Sequence, residues 1–539
     1  MNSSSSLSER SRRLSRLREL GAKAPTLAQV KAERARRQAD RARASLSEFI
    51  RQGWHVLEPT TPLEWNWHHD ALCEHLQALL SDWMAKQRDP AFAQRFQNFL
   101  ANVPPGSMKS RIVSVYMPAW VWLHWPSWRA LFLSSNPRVA LRDSVFCRDV
   151  LRSKWYRDTF RPSWDFAEDQ DAKGLYRNTE GGFRQAQGFT AKVTGDRFDA
   201  IIWDDPHDAD EVHSEAQRTA VVERWDSAVA NRLNDLRTSI RIGIMQRLHE
   251  ADLSGHVLKQ GGWEHLRLPM EFEPPGACEC ATCERGETVI GWRDPRTADG
   301  EVMHPQRFTP DVLAAEKARG SYYFAGQFQQ RPAPTTSALF PRRWWRFWRE
   351  PGADPSPRPR GCDTEAPAVF LPASFDTVIQ SWDCTFKDSD GSDYVCGGVW
   401  GAKGADRFLL YRVWARLDFT STVREVRRVS ELFPAAGAKL IEDKANGPAV
   451  IATLKSEITG VIPVEPSGSK TARAMAIQPQ VEAGNVYLPE AADWLDVYVG
   501  EFESFPRAAH DDQVDMTSQA LLRLASKPSP ADRYRKAQW

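Results

Sequence analysis

The sequence predicts an α/β protein of more than one domain, and three observations carry that prediction. Its 539 residues exceed the roughly 250–300 that one hydrophobic core usually supports. Short apolar runs alternate with helix-like segments from about residue 60 to residue 332, as expected of strands interleaved with helices. A stretch rich in Pro, Arg and Trp, 331–370, then separates this region from a second set of strands and helices.

Charged residues at 26% and hydrophobic residues at 42% exclude a wholly disordered, collagenous or membrane-embedded chain. Cys73, Cys147, Cys362, Cys384 and Cys396 are scattered singly, which fits a reducing compartment better than a disulfide framework. The amino end has no apolar signal segment, and the most apolar later stretch, 112–133, is broken by His124, Pro126 and Arg129. A soluble, intracellular, unprocessed chain is expected.

The net charge of +1 conceals an asymmetry. Residues 1–51 carry 13 Lys and Arg against five acids, a net +8, which leaves −7 on the other 488 residues. No Pro or Gly interrupts Leu27 to Ile50, and Ala, Arg, Glu and Gln dominate there, so residues 1–51 read as a basic helical arm. Such a charge run suits a solvated tail, or docking to DNA or a partner protein.

The runs Ala130–Ser134, Ala200–Trp203 and Ile240–Met245 each end in polar residues, and open parallel sheets bind ligands at the carboxyl ends of their strands. Between the apolar stretch 99–103 and a helix-like segment from Arg111 lies VPPGSMKS, 103–110. Strand, tight loop and helix with Lys-Ser at the junction is the arrangement that wraps phosphates in backbone N–H groups. Pro105, Gly106, Ser107, Met108, Lys109 and Ser110 are therefore candidate ATP-binding residues. Val103 and Met108 replace the glycines usual at the first and sixth positions of such loops. The strand of IIWDDP, 201–206, delivers Asp204 and Asp205 together, so one carboxylate can support Mg²⁺ while the other polarises water. Gln246 and Arg247 follow a third strand, where polar groups could sense a γ-phosphate.

In the second region, Thr377–Trp382, Tyr394–Trp400 and Phe408–Ala415 read as strands, Thr420–Phe433 as a helix, Ala438–Ile441 as a fourth strand and Gln513–Ala525 as the last helix. Strands first, then helix, strand and a late helix bearing acids is the element order of an RNase H-like fold. Asp383 and Glu442 end two of the strands, and Asp511 and Asp512 precede the final helix. Several carboxylates on separate elements are what two-metal phosphodiester hydrolysis requires, because hard cations take oxygen ligands. Asp443, Asp393 and Asp515 form a second tier, and Lys444 and Lys470 could touch a DNA backbone. The predicted organisation is an arm (1–51), a P-loop ATPase domain (52–330), a linker (331–370), an RNase H-like nuclease domain (371–526) and a tail (527–539).

The segments PPGSMKS, VTGDRFDAIIWDDP, IMQRLHEADLSG and SYYFAGQFQQRPAP, with SWDCTFK, IEDKANG and HDDQVD further on, resemble the large terminase subunit of tailed bacteriophages, the ATPase-nuclease that packages DNA into proheads. The resemblance spans roughly residues 50–525. It implies that Lys109 and Ser110 bind nucleotide phosphates and Mg²⁺, that Asp204 supports the metal, and that Asp205 is the catalytic acid, where many relatives carry glutamate. It implies Mg²⁺ or Mn²⁺ at Asp383, Glu442 and one or both of Asp511 and Asp512. It also implies an arginine finger, for which Arg197 is the first candidate and Arg142 and Arg148 follow, and an adenine pocket near Trp65, Trp67 and His68. The partners implied are double-stranded DNA, a portal protein, a small terminase subunit and further copies in a ring. The location implied is the host bacterial cytoplasm, with transient binding to the procapsid portal and none to membrane or mature virion. Two other readings stay open: a helicase-nuclease of repair or defence, and a non-catalytic DNA-binding assembly protein. Cys278, Cys280 and Cys283 are close enough to suggest Zn²⁺, with His304 or Cys362 as a fourth ligand that nothing in the sequence selects, against the alternative of an insertion loop with free thiols.

Overall fold

The computed structural model describes residues 27–192, 195–274, 286–333, 338–356, 358–359, 361–362, 366–384, 394–444, 447–508 and 510–526. Its strands form two eight-stranded sheets. The first holds β1 (Asn98–Asn102), β2 (Arg129–Ser134), β3 (Phe166–Asp171), β4 (Leu175–Asn178), β5 (Phe183–Gly188), β6 (Ala200–Asp204), β7 (Ile240–Met245) and β8 (Glu264–Arg267). Their order is β3-β4-β5-β2-β6-β7-β1-β8. The six strands from β5 to β8 in this order pair in parallel, and β3 and β4 add antiparallel at the edge. All five residues of β6 are buried. Ala200 and Ile202 enter one hydrophobic core and Ile201 and Trp203 another, on opposite faces, as the alternation of a doubly covered strand requires.

The amino-terminal helix ends earlier than the sequence suggested. Helix Leu27–Ala44 buries only Ala42. Ser45 then breaks the chain and caps a second helix, Leu46–Leu57, by accepting from Glu48 N. Leu46, Phe49 and Ile50 of that helix are fully buried, because their i, i+3, i+4 spacing places them on one face against the first domain. The boundary expected at 51 therefore falls inside a core helix.

The second sheet holds β9 (Arg346–Arg349), β10 (Val369–Phe370), β11 (Thr377–Asp383), β12 (Val395–Lys403), β13 (Asp406–Ala415), β14 (Ala436–Glu442), β15 (Val461–Val464) and β16 (Val486–Pro489), in the order β10-β9-β16-β13-β12-β11-β14-β15. β11, β12 and β13 form an antiparallel meander, and β14 runs parallel to β11. Helix Phe419–Leu432 contributes Val423, Val426 and Val429 to one face. Helix Asp512–Ala525 contributes Val514, Met516 and Leu521 to the other. That helix lies close because β12 carries Gly398, where a Cβ would stand 2.3 Å from Met516 Sδ.

The stretch expected to be a linker supplies β9 and β10, and Phe340, Trp345 and Phe347 are buried in the second core. Its aromatic residues are core material, so the second domain begins well before residue 371. Among the described residues, no helix is long and apolar enough to cross a membrane.

Candidate active sites

The nucleotide-type site forms where three adjacent parallel strands, β1, β7 and β6, reach their carboxyl ends. The 103–110 loop leaves β1 with Gly106 at φ 77° and Met108 at φ 58°. Met108 thus adopts the left-handed conformation for which glycine is usual, at a cost of order 1 kcal/mol. Ser107 braces the turn by donating to Pro104 O at 2.7 Å. After the loop, a π-helical turn, Arg111–Tyr116, leads into helix Met117–His124.

Lys109 is buried, and its Nζ lies 2.7 Å from Asp205 Oδ1 and 3.4 Å from Gln246 Oε1. Gln246 N also donates to Asp205 Oδ1, at 3.3 Å. The loop lysine, the second acid of β6 and the first residue after β7 are therefore joined directly. Asp205 sits at φ 45°, a strained turn that brings its carboxylate back over the strand ends. Asp204 is buried, and burial followed by repulsion from Asp205 pushes its carboxyl up to about 7, while Lys109 and a hydrogen bond from Ser110 oppose the rise. Ser114 Oγ donates to Asp204 Oδ2 at 3.0 Å. Asp204 Oδ1 is buried without a hydrogen-bond partner, an oxygen suited to a hard cation.

Arg247, expected beside Gln246 as a phosphate sensor, turns away. Its guanidinium is buried against Asp252 at 3.0 Å, and Asp252 also accepts from Leu248 N and Gly255 N. Arg247 therefore fixes the loop after β7. Arg197 lies before the amino end of β6, opposite the site, and donates to Leu233 O. It therefore stands at the opposite end of β6 from Lys109 and Asp205. Arg142 bonds the neighbouring Asp143, whose charge acts on Asp204; Arg148 lies further along helix Pro137–Arg152.

A cleft of about 270 Å³ opens beside Gly106 and Met108, with Trp54, His69, His304 and Arg307 on its walls. Burial, then the charges of His304 and nearby arginines, lowers His69 to about 3, so its ring is neutral. The aromatic residues expected here do not line the cleft, although Trp65 and His68 pack against its wall residue His69. Trp67 stacks on Trp292, Arg51 covers Trp65, and His68 is buried against His69 and His304. Trp54 and His69 are among the aromatic rings that line the cleft.

In the second domain, Asp383 ends β11 and Glu442 ends the parallel neighbour β14, one step beyond the paired Trp382 and Ile441. Helix Asp512–Ala525 crosses these strands with Met516 O accepting from Ser381 Oγ at 2.7 Å, which puts its amino end at the same carboxyl edge. Asp512 is buried there, and burial followed by the charge of Asp511 pushes its carboxyl up to about 6. Its Oδ2 is buried without a hydrogen-bond partner. Glu442 is also raised, by burial and then by Asp515.

Asp511 is turned toward Lys470, 2.7 Å away. Asp515 is buried in the cluster and meets Lys470 and Arg473 at 2.8 and 2.6 Å. Asp512 and Asp515 share a helix face through their i, i+3 spacing, a signal that could have promoted Asp515 from the second tier. Arg473 and Glu501 escaped the sequence reading altogether. Glu501 accepts from Gln513 N and Val514 N at 2.8 and 3.1 Å and so caps the last helix. Asp443 lies just past β14, with its N–H donated to Val464 O.

The donor set of Asp383, Glu442 and Asp512 fits a divalent cation in chemistry: all oxygen, partly desolvated, with one carboxylate oxygen unpartnered. Among the described residues, however, no three His, Cys, Asp or Glu side chains form a group that could hold a metal ion as they stand. Two cations stand beside them: Arg473, 3.9 Å from Glu442, and Lys470, paired with Asp511 and Asp515. Asp393 and the cluster of Cys278, Cys280 and Cys283 lie outside the described residues. Of the two expected fourth zinc ligands, His304 sits against His68 in the first domain and Cys362 in the second core, so they serve different domains.

The arrangement defines a class: a parallel-sheet domain with a lysine-bearing phosphate-type loop, joined to a carboxylate-bearing mixed-sheet domain. The second domain can be placed further. Residues 380–524 match the family model described as the terminase RNaseH-like domain, and the likeness to terminases drawn from the sequence is upheld there. Among solved structures, the chain is similar to the large terminase of a thermophilic bacteriophage, at 9% identity over 83% of this chain and 98% of that one, with a TM-score of 0.43. It is also similar to the large terminase nuclease of the thermophilic phage G20c, at 14% identity over 35% of this chain and 98% of that one, TM-score 0.25. A third is the large terminase nuclease domain of bacteriophage SPP1 with bound Mn, at 16% identity, 28% and 88% coverage, TM-score 0.22. No curated protein compared with the chain matches it.

Proposed function

We propose that this chain is the large subunit of a viral DNA-packaging terminase, in which the first domain hydrolyses ATP to drive duplex DNA into a procapsid and the second cuts concatemeric DNA. The observation that carries the reading is the joining of Lys109, Asp205 and Gln246 across three strand ends, on a chain whose second domain matches the terminase RNaseH-like model.

Lys109 and the loop N–H groups would hold the nucleotide phosphates, and Trp54 and His69 would receive the base. Ser110 and Asp204 would hold Mg²⁺, which when bound offsets phosphate charge. Asp205 is drawn to Lys109 through Oδ1. A γ-phosphate that engages Lys109 would release that carboxylate to orient water, and Gln246, which touches both residues, would register the exchange. In the second domain Asp383, Glu442 and Asp512 would hold Mg²⁺ or Mn²⁺, which supplies an activated water for phosphodiester hydrolysis. Asp511 is held by Lys470 and stands second to Asp512. The further partners would be the portal, a small terminase subunit and identical copies in a ring, in the host cytoplasm, with an arginine finger supplied in trans. Plasmid nicking in Mn²⁺ tests the nuclease: it should vanish in Asp383→Ala while ATP hydrolysis persists, and undiminished nicking would refute the assignment. A helicase-nuclease would share both sites and would separate strands.

A further inference from the structure

Helix Lys470–Glu482 starts at the second-domain carboxylates and ends on the first domain. At its amino end Lys470 Nζ lies 2.7 Å from Asp511 Oδ1 and 2.8 Å from Asp515 Oδ2. One turn on, Arg473 Nη2 lies 2.6 Å from Asp515 Oδ1 and 3.9 Å from Glu442 Oε2. The side chains of Asp515 and Arg473 are only 3% and 10% exposed, so their pair is much less screened than a surface pair, whereas Lys470 is half exposed. At the other end Glu482 Oε2 accepts from Ser321 N at 3.0 Å. Between the ends, Ala472, Met475 and Pro479 face His213 and Leu248 across a cavity of about 430 Å³. His213 follows Asp205 in the chain and Leu248 follows Gln246, so the helix spans from the loops behind one site to the acids of the other.

We propose that Lys470 and Arg473 are a latch: built-in counter-cations that engage Glu442, Asp511 and Asp515, compete with the divalent ion for the nuclease carboxylates, and are carried on a helix anchored to the ATPase domain. The proposal rests on the nuclease reading above. A carboxylate oxygen engaged by an ammonium is not free to ligate, and the ammonium repels an arriving divalent cation. Arg473 stands on the proposed ligand Glu442, while Lys470 holds Asp511 and Asp515 beside Asp512 and acts on Glu442 and Asp512 through its charge. A divalent ion therefore loads against both cations, and the helix that carries them can move only with its contacts to Ser321, His213 and Leu248.

The test is calorimetric titration of Mn²⁺ into the full-length, chelator-stripped, nucleotide-free protein, with melting temperatures to confirm that each variant is folded. The nuclease site is the Mn²⁺ site lost in Asp383→Asn. Its Kd should fall about tenfold or more in Lys470→Met and stay close to wild type in Lys470→Arg. Lys444 acts on Glu442 through its charge but forms no ion pair with these acids, so Lys444→Met should lower the Kd less than about threefold. An unchanged or weaker Mn²⁺ affinity in Lys470→Met, or an equal gain in Lys444→Met, overturns the latch while leaving the nuclease reading intact. The absence of any Asp383-dependent Mn²⁺ site in wild type overturns both.

Discussion

Glu501 sets the amino end of the helix that carries Asp512 and Asp515, and its replacement by glutamine should change how stability depends on pH. Burial is the largest cause of a rise in its carboxyl from 4.5 to about 7, opposed by hydrogen bonds from Gln513 and Val514. The folded state therefore binds a proton more tightly than the unfolded one. The stabilisation from that proton is complete below about 4.5 and is lost as pH rises through about 7. At about 1.4 kcal/mol per pH unit, the interval corresponds to roughly 3 kcal/mol. Glu501→Gln keeps an oxygen to accept from the helix N–H groups and removes the ionisation. Thermal unfolding of the second domain, followed by tryptophan fluorescence in chelator from pH 5 to 8, should show the wild-type transition falling by roughly 6–12 °C more than that of the variant. The other raised acids, Glu74, Asp143, Asp204, Glu442 and Asp512, are present in both proteins and largely cancel in the comparison. Parallel curves for the two proteins would refute the buried, proton-retaining cap.

Lys109→Ala should reduce phosphate release from ATP by at least about a hundredfold, because the variant loses the only side-chain cation joined to Asp205 and Gln246 among the described residues. Arg197→Ala should leave nucleotide affinity of the isolated subunit unchanged by equilibrium binding, since Arg197 lies at the far end of β6; a large loss there would contradict the placement. Trp345→Ala should destabilise the second domain by about 3–5 kcal/mol in denaturant melts, because Trp345 is fully buried with ring contacts to Tyr498 and Phe502.

Much of this was legible in the sequence where local pattern and chemistry agree. β6 and β7 are apolar runs ending in acid and amide, and they lie where periodicity and strand-end logic put them. β11, β14 and the final helix were equally readable, and so were the acids they carry. Three kinds of feature were not. Met108 stands where the loop pattern wants glycine, and only the backbone shows that the left-handed turn is kept despite its side chain. Arg247 and Arg197 look like phosphate sensors in one dimension, but burial against Asp252 and placement before β6 are properties of the packed fold. The residues of 331–370 have linker composition, yet Phe340 and Trp345 complete a core whose other half, Tyr498 and Phe502, is more than 150 residues away. Lys470 and Arg473 reach Asp515 over a shorter separation, 42 residues for Arg473, that spacing still cannot reveal.

In the proposed function, ATP hydrolysis at Lys109–Asp205 drives this chain along intact duplex DNA. The most direct measurement is ATP-dependent displacement of a triplex-forming strand from duplex DNA, run beside an unwinding assay with the same protein. Displacement is expected from wild type and from Asp383→Asn, none from Lys109→Ala, and no strand separation from any of them. Strand separation without triplex displacement, or displacement that persists in Lys109→Ala, would contradict it.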